Sequence, residues 1–383
     1  MKIKNCKIRV TNIPFVIVFK HSLKSRSEVE GILVEIENDS GHIGYGEALP
    51  RDYVTGETTQ SVTSKLLSEV FPKLTGMTFN SREELFEFLN SFHTIFSGTT
   101  ERDLCVKTAT ELALLDLFGK ENNQSVIDLF GGKKVENITY SGIVSADTPI
   151  IVKQILKQYK KYNIKQIKLK VGKDLDRDLK NIELAKEIIG EGVQLRVDAN
   201  EGWGLDEAKR NLDEMIKAGV VSVEQPMPAN NPGQYPKLVQ HLAGKMDVSL
   251  DESLCSVGDA KMMIEARGAT IFNLRVSKNG GISTAYTLYK MALEAGLKCQ
   301  LGSQVGETSL LSSAGRILAL ITGDLVFHEG SFGTRLLSHD LTKEPLMFEK
   351  NGIGSSEYLN RSVGLGVNVN QKLLEKMTKT ILA

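Results

Sequence analysis

Two lysines one residue apart, Lys168 and Lys170, close the apolar run QIKLKVG at 166–172. Along a strand, residues i and i+2 share a face, so two ammonium groups would share one small space. Each is then expected to lower the pKa of the other, and a lysine so lowered can act as a base near neutral pH. Downstream, Asp198, Glu224 and Asp251 end three further apolar runs at separations of 26 and 27 residues, and Lys278 ends the next. One such acid ahead of a helix is normally a cap. Three in register, flanked by lysines, repel one another unless a cation sits among them, and an all-oxygen site suits Mg²⁺. Together these types fit removal of a proton α to a carboxylate, since a divalent cation and ammonium groups can stabilise the enediolate that forms. Lys170 is the expected base. Lys168 is its electrostatic neighbour and a partner for the substrate carboxylate. Lys278 is a second acid or base on the far side.

The elements that must place these groups begin near residue 137. Apolar runs (ITYSGIV, QIKLKV, VQLRVDAN, VVSVEQP, DVSLDES, TIFNLRVSKNGG, LKCQLGS and DLVFHEG) alternate with helices expected near 148–162, 175–189, 206–218, 233–243, 257–266, 282–295 and 307–321. Eight strand candidates buried on both faces and seven intervening helices predict an α/β fold with a (β/α) barrel of TIM type, whose polar residues crowd the C-terminal strand ends. The second and sixth strands then face each other across the mouth, with one lysine on each side of the carboxylates.

Residues 1–50 read instead as three strands, KIKNCKIRV, IPFVIVF and EGILVEIEND, and residues 59–129 as amphipathic helices, among them CVKTATELALLDLFGK. Ser81-Arg82-Glu83-Glu84 has the form of a capping box. Residues 20–29 and 50–58 are loops able to cover a pocket. QKLLEKMTKTIL is clearly helical, and this tail is expected to return to the N-terminal region.

Composition narrows the function. Among 383 residues, Lys+Arg and Asp+Glu each number 47, so no net charge recruits nucleic acid or an anionic membrane. Cys6, Cys105, Cys255 and Cys299 form no CxxC or Cys/His cluster, which argues against zinc and redox motifs. No Gly-Lys pair is followed by Ser or Thr, so a Walker A signature is lacking. No signal-peptide core and no run of about 20 apolar residues is present, so the expected location is cytoplasmic.

The motifs KLKVG (168–172), DAN (198–200), EQP (224–226), DES (251–253) and SKNGG (277–281), with GYGEA (44–48) and VTGET (54–58), resemble the muconate lactonizing enzyme subgroup of the enolase superfamily, also called the mandelate racemase/muconate lactonizing enzyme family. Its Lys base and Mg²⁺ are an established pattern. The resemblance spans nearly the whole chain. It implies an α+β capping domain over 1–130, a modified barrel over 131–335, and a segment over 336–383 packing back on the cap. It implies Mg²⁺, with Mn²⁺ as a substitute, on Asp198, Glu224 and Asp251. Lys170 and Lys278 become the acid/base pair, Lys168 an auxiliary, and Asn200 and Glu252 groups that orient ligands or lysines. Substrate contacts fall on the cap loops (His21, Arg26, Arg51, Tyr53) and on the ends of the last two strands (Ser303, Gln304, His328, Glu329). Dipeptide epimerases of the subgroup usually carry Asp-x-Asp on the eighth strand, where this chain has His328-Glu329-Gly330. The implied enzyme is a homo-oligomeric isomerase (racemase, epimerase or cycloisomerase) of a small carboxylate. A lyase, such as an acid-sugar dehydratase or a succinylbenzoate-forming enzyme, would use the same site. A catalytically inactive barrel that binds a small molecule is a third reading.

Overall fold

The alternating residues at the N-terminus form an antiparallel sheet in a computed structural model, which describes residues 1–20, 25–145, 148–360 and 362–383. KIKNCKIRV and IPFVIVF are one strand, β1 (Ile3–Lys20), rather than two. Pro14 lies next to a shift of register instead of ending the strand. β1 pairs with β2 (Ser25–Asn38), which pairs with β3 (Ile43–Ala48). Part of the expected 20–29 loop is therefore strand, and residues 21–24 lie outside the described residues.

Helices follow as the spacing predicts: α1 (Thr59–Lys65), running on through a π turn at Leu66–Val70, then α2 (Arg82–Asn90) and α3 (Leu104–Glu121). At α2 only half of the capping box forms. Ser81 Oγ accepts from Glu84 N, while the Glu84 carboxylate takes Asn80 N at 2.8 Å. Nor is α3 amphipathic: every residue from Leu104 to Gly119 is buried. It lies against β3, where Gly44 and Gly46 permit contact that a side chain would block. A Cβ on Gly46 would sit 2.0 Å from Ala109 O.

The second half alternates strand and helix: β4 (Gly142–Val144), α4 (Pro149–Lys161), β5 (Gln166–Lys170), α5 (Leu175–Ile189), β6 (Gln194–Asp198), α6 (Leu205–Lys217), β7 (Val220–Glu224), α7 (Tyr235–Leu242), β8 (Asp247–Leu250), α8 (Val257–Ala266), β9 (Ile271–Leu274), α9 (Ile282–Glu294), β10 (Lys298–Leu301) and α10 (Ser309–Thr322). β4 to β10 form one parallel sheet in sequence order. The eighth run makes no strand of its own. His328 instead bridges both Leu301 and Tyr140, joining the two ends of the sheet. Leu301 N donates to Phe327 O and Ser141 N to His328 O, each at 2.8 Å.

The C-terminal tail is helical only over α11 (Gln371–Met377). β11 (Thr378–Leu382) then pairs antiparallel with β1, matching Leu382 to Ile8. The β-branched Thr378, Thr380 and Ile381 suit a strand, and the edge of β1 offers backbone groups to pair. Among the described residues, no helix is long and apolar enough to cross a membrane.

Candidate active site

Parallel pairing sets the site's first layer. Lys170 on β5 stands opposite Asp198 on β6, which stands opposite Glu224 on β7. Asp251 follows β8 directly. All three acids are buried. Lys168 and Lys170 do share a face, for both reach Asp198 Oδ2, at 3.3 and 2.6 Å. Lys170 Nζ also donates to Asn200 Oδ1 at 2.7 Å. Lys168 Nζ donates to Glu224 Oε1 at 3.0 Å and Glu329 Oε2 at 2.8 Å.

This arrangement overturns one expectation. Burial works against the charge of Lys168, but Glu224, Glu329 and Asp198 outweigh it and raise its pKa. The group is a fixed ammonium inside a carboxylate cage. Asp198 is buried too, yet Lys170 and Lys168 hold it below the usual carboxylate range. Glu224 is pushed up to about 7 by burial and by its acidic neighbours, against the pull of Lys168.

Lys278 is fully buried and does not face the cavity beside the other lysines. Its Nζ donates to Asp251 O at 2.7 Å and Asn273 O at 3.0 Å, and lies 3.1 Å from Asp251 Oδ1. Glu252 is partly buried, with Oε2 enclosed and unpartnered, and burial of the carboxyl followed by repulsion from Asp251 lifts it to about 8.

Several polar residues that the sequence reading passed over complete the site. Arg275 Nη2 bonds Asp251 Oδ2 and lies 3.6 Å from Glu224 Oε1, while Nη1 donates to Gln304 Oε1 at 3.1 Å. Arg196 Nη1 reaches Glu329 Oε1 at 3.1 Å and Gln300 Oε1 at 3.2 Å, and Gln300 Nε2 donates to Glu224 Oε2 at 2.7 Å. Period two marks them: Arg196 precedes Asp198 by two residues, and Gln300 precedes Gly302 by two.

Among the described residues, no three acids, histidines or cysteines surround one point as a ligand set. Lys168 and Arg275 instead bridge neighbouring acids. The donor chemistry nonetheless fits a hard divalent cation, with three buried carboxylates on successive strand ends that draw positive charge between them. Such an ion would share Asp251 and Glu224 with the Arg275 guanidinium, which now lies between them.

A cavity of about 1270 Å³ opens over Lys168, Lys170, Asn200, Glu252 and Arg275. Tyr53, Ser303, Gln304 and Glu329 line it as well. His328 does not: its Nδ1 lies 3.2 Å from Thr139 O, where the run closes the sheet. Arg51 is a strut, reaching Pro50 O at 2.6 Å and Val305 O at 3.3 Å. His21 and the side chain of Arg26 lie outside the described residues. The motifs GYGEA and VTGET prove to hold helices. Glu47 accepts from Thr308 N and Leu311 N at the start of α10, and Glu57 accepts from Cys105 N near the start of α3.

Residues 151–373 match the enolase C-terminal domain-like family, and residues 5–131 the mandelate racemase/muconate lactonizing enzyme N-terminal domain. The chain is 30% identical to an N-succinyl-L-Arg/Lys racemase of Bacillus cereus, over 99% of this chain and 98% of that protein. It is 29% identical to a D-Ala-D/L-Ala epimerase of Cytophaga hutchinsonii, over 94% of each. The crystal structure of the Bacillus cereus N-succinyl Arg/Lys racemase superposes with a TM-score of 0.89 at 28% identity, covering 100% of both chains.

Proposed function

The chain belongs to the mandelate racemase/muconate lactonizing enzyme family of the enolase superfamily and is an isomerase, and from that premise we propose how its residues work. The reaction is Mg²⁺-dependent inversion at a carbon α to a carboxylate, by racemisation or epimerisation. The observation that carries this reading is the row of buried acids with Lys170 at the Asp198 end and Lys278 at the Asp251 end. When held by Asp198, Glu224 and Asp251, Mg²⁺, or Mn²⁺ in its place, supplies positive charge to the substrate carboxylate as negative charge grows there. Lys170 Nζ, which faces the cavity and is oriented by Asn200, takes the α-proton from one face. Lys278 returns a proton to the other after leaving the carbonyls of Asp251 and Asn273. Lys168 stays charged and steadies the developing anion. Residues 1–130 act as the cap, 131–335 as the barrel and 336–383 as the segment that ties them.

Solvent-deuterium incorporation tests these roles. Lys170→Ala should lose exchange from one antipode by roughly 10²–10⁴-fold, and Lys278→Ala from the other. Full activity in the double variant overturns the reading. The burial of Lys278 favours one alternative, a one-base lyase in which Lys278 only stabilises charge. Loss of water from the product, seen by mass, would distinguish it.

A further inference from the structure

We infer that Glu111, on helix α3 of the N-terminal region, is a positioning residue for Lys278 and governs one half of the proton transfer without the other. The two lysines are held by different means. Lys170 ends β5, a strand paired on both sides, with β4 and with β6. Lys278 lies in the turn between Leu274, where β9 ends, and Ile282, where α9 begins. Some of the turn's anchors come from the barrel half. Lys278 N donates to Arg275 O at 3.0 Å, and Asn279 Nδ2 donates to Leu254 O at 2.9 Å.

The others come from the N-terminal region and sit on both sides of Lys278. Before it, Ser277 Oγ accepts from Leu49 N at 3.1 Å, and Thr108 Oγ1 on α3 lies 3.3 Å from Ser277 O. After it, Glu111 takes both donors of Ser283. Its Oε1 accepts from Ser283 N at 2.8 Å, and its Oε2 accepts from Ser283 Oγ. One turn of α3 earlier, Lys107 Nζ donates to Thr284 Oγ1 at 2.9 Å. The fit is close. Gly281 has a φ of +102°, and a Cβ there would fall 2.4 Å from Glu111 Cδ. Glu111 is fully buried, so removing its carboxylate leaves Ser283 N without a partner and without water. That loosens the first turn of α9 and the segment that carries Lys278. A proton donor displaced by about 1 Å loses rate steeply. The inference rests on the two-base reading for what Lys278 does, and on the contacts of Ser277 and Ser283 for how it is held.

The test uses the full chain and two readouts. The first needs no substrate: reductive methylation by formaldehyde and a borane, read by peptide mass at each lysine. Lys168 and Lys278 are both buried and both resist the reagent in the unaltered chain. In Glu111→Met, Lys278 should be labelled at least about tenfold faster through local opening, while Lys168 stays protected. Ser283→Ala, which removes one of the two bonds, should fall between. Glu111→Gln should restore protection, because its amide can accept from Ser283 N and donate to Ser283 Oγ. The second readout is α-proton exchange in D₂O with Mg²⁺, using N-succinyl-L-lysine and N-succinyl-D-lysine as probes. Glu111→Met should slow the antipode that Lys278→Ala silences and leave the other near its parental rate, with Glu111→Gln again close to the parent. Unchanged labelling of Lys278 overturns the proposal. So does equal exposure of Lys168, which would mark general loosening, or an equal fall in exchange from both antipodes. Exchange from one antipode alone in the unaltered chain would sink the two-base reading and leave the hold of Glu111 on the Lys278 turn standing.

Discussion

At Asp251 two cations hold one carboxylate: Arg275 on Oδ2, and Lys278 3.1 Å from Oδ1. Together they keep its charge in place despite burial, so its carboxyl stays below the usual range. A divalent ion held among these acids would compete with Arg275 for the charge of Asp251 and Glu224. Two outcomes follow for metal binding measured by calorimetry in the absence of substrate. Asp251→Asn removes a charged donor, and Mg²⁺ affinity should fall by tenfold or more, about 1.4 kcal/mol. Arg275→Met removes the competitor, and affinity should rise by about the same factor. If Arg275→Met weakens Mg²⁺ binding instead, the guanidinium is a support for the ligand set and not its rival. The lysines illustrate why residue type alone was not enough to read the site. Spacing in QIKLKVG gave a shared face, and both ammonium groups do meet Asp198. What it could not give was the Glu329 carboxylate, 161 residues away, which turns Lys168 into a fixed charge.

Elements were legible where one physical signal dominated. The helices of the barrel half follow the predicted ranges to within a few residues, because buried parallel strands and amphipathic helices carry different periods. The failures share a cause: tertiary contacts decided them. TKTIL reads as the end of a helix beside QKLLEKM, yet it becomes β11 because β1 presents an edge. DLVFHEG reads as a full strand, yet it is reduced to bridges where the sheet closes. Helix α3 reads as one-sided, but it is buried all round because β3 packs so closely. The two glycines of GYGEA explain that closeness, and they yield a sharp prediction. Gly46→Ala places a Cβ 2.0 Å from Ala109 O and 2.6 Å from Ala113 N, both of them backbone atoms that no side-chain rotation can clear. Overpacking of this kind costs about 1–3 kcal/mol, so thermal unfolding should shift down. Gly204→Ala is the control, for a Cβ there meets nothing within 4 Å and the backbone φ of −78° is open to alanine. Equal melting temperatures for the two variants would show that α3 can move off the sheet.

Across the whole molecule, the N-terminal sheet and the barrel are joined through buried polar contacts as well as apolar packing. Leu49 N donates to Ser277 Oγ next to Lys278, Arg51 reaches Val305 O, and Glu47 bonds the start of α10 through Thr308 and Leu311. The Glu47 link is the one whose strength should depend on pH. Burial lifts its carboxyl from 4.5 to about 7, against the opposing hydrogen bonds from Thr308 and Leu311. Because the folded-state value lies above the unfolded one, the folded chain holds this proton more tightly. Stability from the group is therefore fully present below about pH 4.5, and is lost as pH rises towards 7. At about 1.4 kcal/mol for each unit, the swing is roughly 3 kcal/mol. Glu47→Gln has no proton to lose in this range. Its amide keeps one acceptor oxygen but cannot serve all three donors, so the variant should be less stable than the parent at pH 5. The parent's advantage should then shrink steadily between pH 5 and 8 in paired thermal melts. An advantage that stays constant or grows over that interval would mean that Glu47 is already ionised in the folded chain, with the N–H groups at the start of α10 outweighing the cost of burying its charge.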